Sequence, residues 1–191
     1  MTIEKAQSAD AVTAGMVAKN GFKESAKGGG VYRVECIGAD GQVKWTDTMS
    51  NLVVSEGLQY MNDTFFSGSS FSADWYLGLV TGPASATTFA AADTLASHAG
   101  WTEFSSYTGS RKAVTFGSAT AATPSVITSS GSPSSFAITG TATVAGAFLC
   151  NVSSGTSGEL FSEADFDSPG DRSVVSGDTL NVSYTFSLDA A

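Results

Sequence analysis

The clearest pattern in the chain is a strict alternation of apolar and polar residues near its C-terminus. In the run 179–188, every second residue is apolar, and the residues between them are Asn, Ser or Thr. The apolar positions are Leu180, Val182, Tyr184, Phe186 and Leu188. A period of two places these side chains on one face, so the run predicts an antiparallel strand with one buried face. We expect that face to pack against an apolar face of other strands, formed by Phe136, Ile138, Val144 and Phe148.

Similar runs mark further strands, separated by turns rich in Gly, Ser, Pro and Asp. They lie at 31–37, 42–45, 75–80, 111–116, 134–140 and 141–152. Asp40 and Gly41, between the first two runs, form a strong hairpin signal because both residues tolerate a positive φ. The predicted fold class is mainly β, an antiparallel β-sandwich of the jelly-roll or immunoglobulin-like kind.

Helical periodicity occurs in one place. Leu58, Met61 and Phe65 recur at i, i+3 and i+7 within 56–66, and Ser55 stands at the N-cap position. Such spacing puts the three apolar side chains on one face. The pattern predicts one short amphipathic helix that covers a sheet.

The first thirty residues differ from the rest of the chain. They are rich in Ala, Ser, Lys and Gly and end in three glycines at 28–30, which indicate a flexible hinge. Their apolar surface is too small for them to fold alone. We therefore predict an extended N-terminal arm at 1–30 and a β-sandwich domain at 31–191. The arm would bind a partner through Ile3, Val12, Met16, Val17 and Phe22, together with Lys19, Lys23 and Lys27.

Charge narrows the classes of partner. The 191 residues are 42% hydrophobic and 14% charged, with a net charge of −9. Residues 1–30 hold four lysines against three acidic residues, so the remainder carries a net charge of −10. An acidic body excludes nucleic acid and anionic membranes as expected partners. No apolar run approaches the roughly 18–20 residues that span a bilayer, and the start shows no recognisable export signal.

Groups suited to catalysis are few. His98 is the only histidine, so a histidine-based triad or multi-histidine metal site has at most one member. Cys36 and Cys150 lie far apart in apolar runs, which favours two buried thiols over a disulfide. Glycine-rich nucleotide motifs are missing. We expect neither enzymatic activity nor a cofactor.

The densest acidic cluster lies at 159–171. Its members are Glu159, Glu163, Asp165, Asp167 and Asp171. The order of a calcium loop is interrupted at 168–169 and its closing glutamate is missing, which favours a solvated turn over a metal site. These acids together with Trp101 leave open a carbohydrate-binding or hydrolytic sandwich.

Two further residues are predicted to contact partner subunits. Arg111, in the only adjacent basic pair, would form a salt bridge between subunits. Trp101 follows a glycine in the long connection 84–106, and loops of this length usually serve function or interfaces. An exposed tryptophan there would anchor an interface.

Several segments, taken in order, resemble a family of virion structural proteins of tailed bacteriophages. They read VYRVEC, KW, NLVV, GL, WYLGL, DTLASHAGWTE and SGDTLNVSY. Small acidic β-proteins with an N-terminal arm look like capsid decoration, or cement, proteins, whereas neck, tail and fibre components share the same composition. The resemblance implies a structural protein of the virion, assembled in the bacterial host cytoplasm, with no catalytic residues. Its expected partners are the major capsid protein and further copies in a dimer or trimer.

Overall fold

The computed structural model describes residues 26–68, 74–82, 87–166 and 170–190. These residues form one helix, α1 (Ser55–Phe66), and eleven strands. The strands are β1 (Ala26–Ile37), β2 (Val43–Ser50), β3 (Leu52–Val53), β4 (Tyr76–Thr81), β5 (Lys112–Ala113), β6 (Ser125–Thr128), β7 (Ser134–Ala137), β8 (Ala142–Cys150), β9 (Leu160–Asp165), β10 (Arg172–Val174) and β11 (Thr179–Ala190).

The strands form two antiparallel sheets that pack as a β-sandwich, which confirms the predicted fold class. The first sheet has the order β2-β1-β11, with β6 and β7 one after the other along the far side of β11. The second sheet has the order β3-β9-β8-β4-β5, and β10 pairs with β8 beyond β9. The run predicted as a strand at 111–116 pairs only over Lys112–Ala113.

The alternating face of β11 builds the inner core, as predicted. Leu180, Val182 and Tyr184 are buried, and Phe186 packs against the same cluster. The Tyr32 hydroxyl donates across the sandwich to the Ser162 carbonyl at 3.1 Å. Apolar burial and this buried hydrogen bond together hold the two sheets face to face.

One predicted member of the inner core, Phe148, faces the other way. Val144 and Gly146 pair with consecutive residues of β4, so β8 contains one extra residue between them. An extra residue reverses the alternation of the positions that follow it. As a result, Val144 and Leu149 lie in the inner core, whereas Phe148 lies on the outer face of the second sheet.

That outer face forms a second core, covered by the connection between β4 and β5. Trp101 packs on Phe148 with ring centroids 4.9 Å apart, and Leu95 and Val54 are fully buried beside them. The connection therefore adds a third layer to the sandwich. We call this second core and its cover the covered face.

The predicted glycine hinge is wrong. Ala26–Ile37 is one continuous strand, in which Gly28 pairs with Leu188 and Gly30 with Phe186. A Cβ atom at Gly30 would collide with the Tyr184 ring, so glycine here makes room for an aromatic side chain. The sandwich therefore includes residues 26–30, which were predicted to belong to the arm, and residues 1–25 lie outside the described part of the chain.

The hairpin at Asp40 and Gly41 is confirmed. It connects β1 and β2, and only Gly41 adopts a positive φ, of 78°. The Gly41 amide donates to the Gly38 carbonyl at 2.8 Å. The connection therefore has a tight turn followed by one left-handed glycine.

Helix α1 exists, but of its predicted buried face only Met61 packs against the core. The helix begins at Ser55, so Val54 occupies the N-cap position and no side chain caps it. Leu58 is 50% exposed and Phe65 is 74% exposed. Gly57 is the buried residue instead, because its face lies directly on the backbone of Phe161 in β9.

Candidate interaction surface

An apolar groove opens beside α1, between the two sheets. Its volume is about 210 Å³, and it exposes mainly carbon. We call it the apolar groove. The residues that line it include Met61, Phe65, Trp75, Phe116, Ile127 and Phe186.

Aromatic rings from both sheets build the floor of the groove. Phe161 contacts Trp75 at 5.4 Å and Phe186 at 5.5 Å between ring centroids, both edge-on. Tyr60 of α1 contacts Trp75 in the same way, at 5.7 Å. Ile127 pairs with Phe186 across β6 and β11, so both project from the same face of the first sheet. The groove is thus a continuation of the inner core that opens to solvent.

The rim of the groove exposes large apolar side chains. Phe65 lines the groove and is 74% exposed, and Phe66, the next residue of α1, is 86% exposed. The Thr64 hydroxyl oxygen beside them is buried and has no hydrogen-bond partner among the described residues. Contiguous exposed apolar surface is uncommon on proteins that act alone and marks sites of association. The chemistry of this surface suits an apolar segment of a protein partner.

Most of the predicted partner-binding residues lie outside the described part of the chain. These are Ile3, Val12, Met16, Val17, Lys19, Phe22 and Lys23. Lys27 lies in β1 opposite Asp189 and is exposed. The structure therefore describes where the predicted arm enters the sandwich, one strand away from the groove residue Ile127.

The prediction that Trp101 anchors an interface is wrong. Trp101 is only 6% exposed, and its indole nitrogen donates to Glu163 at 2.9 Å. His98 stacks on the indole at 3.7 Å between ring centroids. The large aromatic ring of Trp101 covers Phe148. It thereby holds the β4–β5 connection against the second sheet of its own chain.

Glu163 is a buried residue of β9, not part of a solvated turn as predicted. Its carboxyl group accepts hydrogen bonds from the Trp101 indole and from the Ala90 amide at 3.0 Å. Burial, and then the negative charge of Asp93, raise the pKa of Glu163 to about 8. The carboxyl group thus joins β9 to two points of the covering connection.

Arg111 pairs within its own chain, which corrects the predicted bridge between subunits. Its side chain is buried, and it donates to both carboxylate oxygens of Glu103, at 2.9 and 2.7 Å. The guanidinium also lies 5.1 Å from the centre of the Phe148 ring. A buried arginine needs such partners to offset its lost hydration, so it is not available to another subunit.

A second, acidic cleft lies between α1 and the covering connection. It has a volume of about 450 Å³, and its carboxylates are Glu56, Asp63 and Glu159. Glu56 accepts backbone hydrogen bonds from Leu95 at 2.9 Å and from Leu160 at 2.6 Å. Burial, and then the charge of Glu56, raise the pKa of Glu159.

The predicted sugar site combined Trp101 with the acids of 159–171, and the structure places Trp101 against one of them, Glu163, with both side chains buried. Glu159 lines the acidic cleft, Trp101 and Glu163 are buried, and Asp167 lies outside the described residues. Within the described ranges, no three His, Cys, Asp or Glu residues are arranged to hold a metal ion. Both described cysteines are free and buried, as predicted.

Sequence reasoning missed the apolar groove, although one signal was present. Phe65 and Phe66 are adjacent in a helix, so their side chains point about 100° apart and both rarely face one core. Two bulky aromatics followed by Ser67 and Gly68 at a helix end indicate that at least one ring is exposed. The groove residues from β6 and β11 meet only through strand pairing, which the sequence does not show.

The comparisons with known proteins returned no relatives. No protein-family model, curated protein or solved structure matches the chain. Nothing in them links the chain to virion proteins, so that resemblance stays a prediction. Among the described residues, no helix has the length and apolarity to cross a membrane.

Proposed function

We propose that this chain is a non-enzymatic structural protein of a tailed-bacteriophage virion, a capsid decoration protein that binds the outer lattice and clamps neighbouring capsomers. Its partners are the major capsid protein and further copies of itself. The observation that carries the proposal is the apolar groove with the exposed side chain of Phe65 in its lining, next to the exposed Phe66. A protein that acts by burying surface area against a complementary partner needs such a surface and needs no catalytic turnover.

The location of β1 next to the groove strand β11 supports the same proposal. The chain enters the first sheet at Ala26, on the β1–β11 pair, and Phe186 of β11 lines the groove. The twenty-five residues that precede Ala26 can add contacts that the sandwich alone cannot make. When one weak contact of a copy has formed, it raises the effective concentration of the groups that form the next contact. Several linked contacts therefore bind each copy firmly to the lattice.

Mass measurement of purified particles tests this function. A copy number in the hundreds is expected for a protein on the capsid lattice. A number near about six or twelve, the symmetries of a neck or tail, would favour the alternative of a neck, tail or fibre component.

Deletion of residues 1–25 tests the contribution of the segment. We expect a folded body that binds particles much more weakly than the full chain, because the segment supplies part of the contact area. The deletion ends at Ser25, since a longer one would remove β1 residues that pair with β11. Equal binding by the shortened and full chains would contradict a clamping role.

A carbohydrate-binding function is the second candidate. The observation that favours it is the acidic cleft, where Tyr60 offers an aromatic face beside Glu56 and Glu159. Glycan-array binding that disappears in Tyr60→Ala and persists in Tyr76→Ala would support it. Absence of binding across the array would end it.

A further inference from the structure

We infer that part of the β4–β5 connection is a proton-controlled flap, which is held closed by a proton that Glu163 and Asp93 share and opens more often when that proton is lost. We call this part, residues 88–101, the cover loop. It includes Leu95 and Trp101, the two residues that cover the outer face of the second sheet. The inference concerns contacts within one chain, so it does not depend on the proposed function.

The cover loop is built to move as a unit. Its two ends meet, because the Thr88 amide donates to the Gly100 carbonyl at 2.9 Å. Of the loop residues, only Leu95 and Trp101 are buried. A loop with joined ends and a small apolar contact can open locally while the strands beneath it stay paired.

Carboxylate groups provide most of the loop's attachment to the rest of the chain. Four N–H···O hydrogen bonds among the described residues make this attachment, and one of them runs between backbone groups, from the Ser55 amide to the Ala91 carbonyl at 2.8 Å. The other three end on a carboxylate: the Ala90 amide and the Trp101 indole donate to Glu163, and the Leu95 amide donates to Glu56. The ionisation of these acids therefore affects how firmly the loop is held.

Glu163 of β9 and Asp93 of the loop meet at one hydrogen-bond donor. The Ala90 amide lies 3.0 Å from Oε1 of Glu163 and 3.2 Å from Oδ2 of Asp93. Glu163 is fully buried, so two ionised carboxylates at this point would repel each other with little screening. One proton removes the repulsion and lets the two side chains form a hydrogen bond, and the pKa of Glu163 is raised to about 8 by burial and then by Asp93.

The other groups around Glu163 do not replace the proton. The titratable groups that face it from the packed elements are Asp93 and His98 of the loop, Glu56 of α1, Tyr32 of β1 and, over the Phe148 ring of β8, Arg111. Arg111 is paired with Glu103, and no ion pair among the described residues includes Glu163. Loss of the proton to solvent therefore leaves a buried anion without a cation, and opening of the loop hydrates it.

The sign of the pH dependence follows from the two states of the loop. In the closed state Glu163 keeps its proton up to a pKa of about 8, whereas hydrated Glu163 in the open state releases it near the usual value of 4.5. Closing is therefore favoured most below about pH 4.5. The equilibrium constant for opening rises about tenfold per pH unit from there to about pH 8.

Amide hydrogen exchange of the full chain, followed by NMR between about pH 5 and 8, tests the inference. The reporters are the Ala90 and Leu95 amides, which bind Glu163 and Glu56. Protection is taken relative to the unfolded sequence, which removes the pH dependence of exchange itself. We expect protection of both amides to fall about tenfold per pH unit.

Low concentrations of urea distinguish opening of the loop from unfolding of the whole chain. Opening of the loop exposes little surface, so urea should hardly change the protection of Ala90 and Leu95. The Val182 amide in the middle of β11 should lose protection steeply, because its release needs the sheet to unfold. An equally steep effect of urea on all three amides would overturn the inference.

Three variants identify the proton. Glu163→Gln keeps a neutral group in place and should remove the extra pH dependence at Ala90 and Leu95. Asp93→Asn removes the facing charge at a half-buried position and should reduce it, which keeps the test available if Glu163→Gln does not fold. Asp189→Asn, at an exposed position of β11, is the matched control and should leave it unchanged. An unchanged pH dependence in both Glu163→Gln and Asp93→Asn would overturn the inference.

Discussion

Two apolar regions of this molecule differ in what covers them. On the covered face, residues of the β4–β5 connection close over Phe148, and Trp101 is left 6% exposed. At the apolar groove, no described segment closes over the rings, and Phe65 is left 74% exposed. The described residues thus supply a cover for one region and not for the other. The uncovered region is the one whose cover we assign to another molecule.

The polar groups of the two regions differ in the same sense. The covered face includes a buried guanidinium, Arg111, and a buried carboxyl group, Glu163, each with hydrogen-bond partners in the same chain. Buried ionisable groups demand fixed partners, so they suit a permanent contact. The described lining of the groove carries no charge, which allows a partner to bind and leave without stranding an ion.

The largest expected effect is a loss of folding, caused by a substitution in the inner core on which both regions depend. Val182→Asp would bury an unpaired carboxylate between the sheets and should prevent folding. Asn181→Asp, one residue away on the outer face of the same strand, is the matched control and should fold. Circular dichroism melting distinguishes them. A cooperatively melting Val182→Asp protein would show that the alternation of β11 is misassigned.

The next largest effect on stability is expected from a substitution that removes part of the cover. Trp101→Ala removes the ring that packs on Phe148 and the indole donor to Glu163. We expect the free energy of unfolding to fall by about 3–5 kcal/mol, as for other buried aromatic residues. Urea denaturation measures it, with the exposed Phe66→Ala as control. Equal losses in the two variants would mean that the connection is not a structural layer.

The pH dependence of stability sharpens the same contrast. Because the folded pKa of Glu163 is raised to about 8, the folded state holds a proton that the unfolded state releases near its usual value of about 4.5. The contribution of Glu163 to the free energy of unfolding is therefore greatest below about pH 4.5 and falls as the pH rises towards 8, by up to about 1.4 kcal/mol per pH unit. Glu163→Gln should remove this component. Urea midpoints of the unchanged and Glu163→Gln proteins that vary in parallel between about pH 4.5 and 8 would contradict the raised pKa of Glu163.

The smallest effect on stability is expected at the groove. Phe65→Ser should change the free energy of unfolding by less than about 0.5 kcal/mol, because the ring is largely in solvent already. Binding to particles should nevertheless weaken, since the rim is lost. Gln59→Ser, at an exposed position on α1, is the control for both measurements. Full particle binding by Phe65→Ser would remove the groove from the contact.

Short-range patterns were sufficient for the β-sandwich but not for its second core. The alternation of β11 and the turn at Gly41 follow from local geometry, so both were predicted correctly. The extra residue in β8 is visible only through its pairing with β4, and it moves Phe148 from one face to the other. A period of two carries no information about where such a residue interrupts it.

The candidate site was harder to predict because it depends on contacts between distant segments. Gly28 and Gly30 indicate a hinge when read alone, and only their pairing with Leu188 and Phe186 shows that they make room for aromatic rings. Trp101 indicates an exposed anchor until the outer face of the second sheet is known to need a cover. In both cases tertiary packing overrode the local preference.

Labelling of a thiol at the groove in the free and particle-bound protein tests the central claim most directly. Phe65→Cys and Val43→Cys proteins would each be treated with a thiol reagent before and after addition to particles that lack the protein. We expect Phe65→Cys to react readily when free and to be strongly protected on the particle, in proportion to the fraction bound. Equal reactivity of Phe65→Cys in the two states, with the protein shown to be bound, would contradict the claim that another molecule covers this groove.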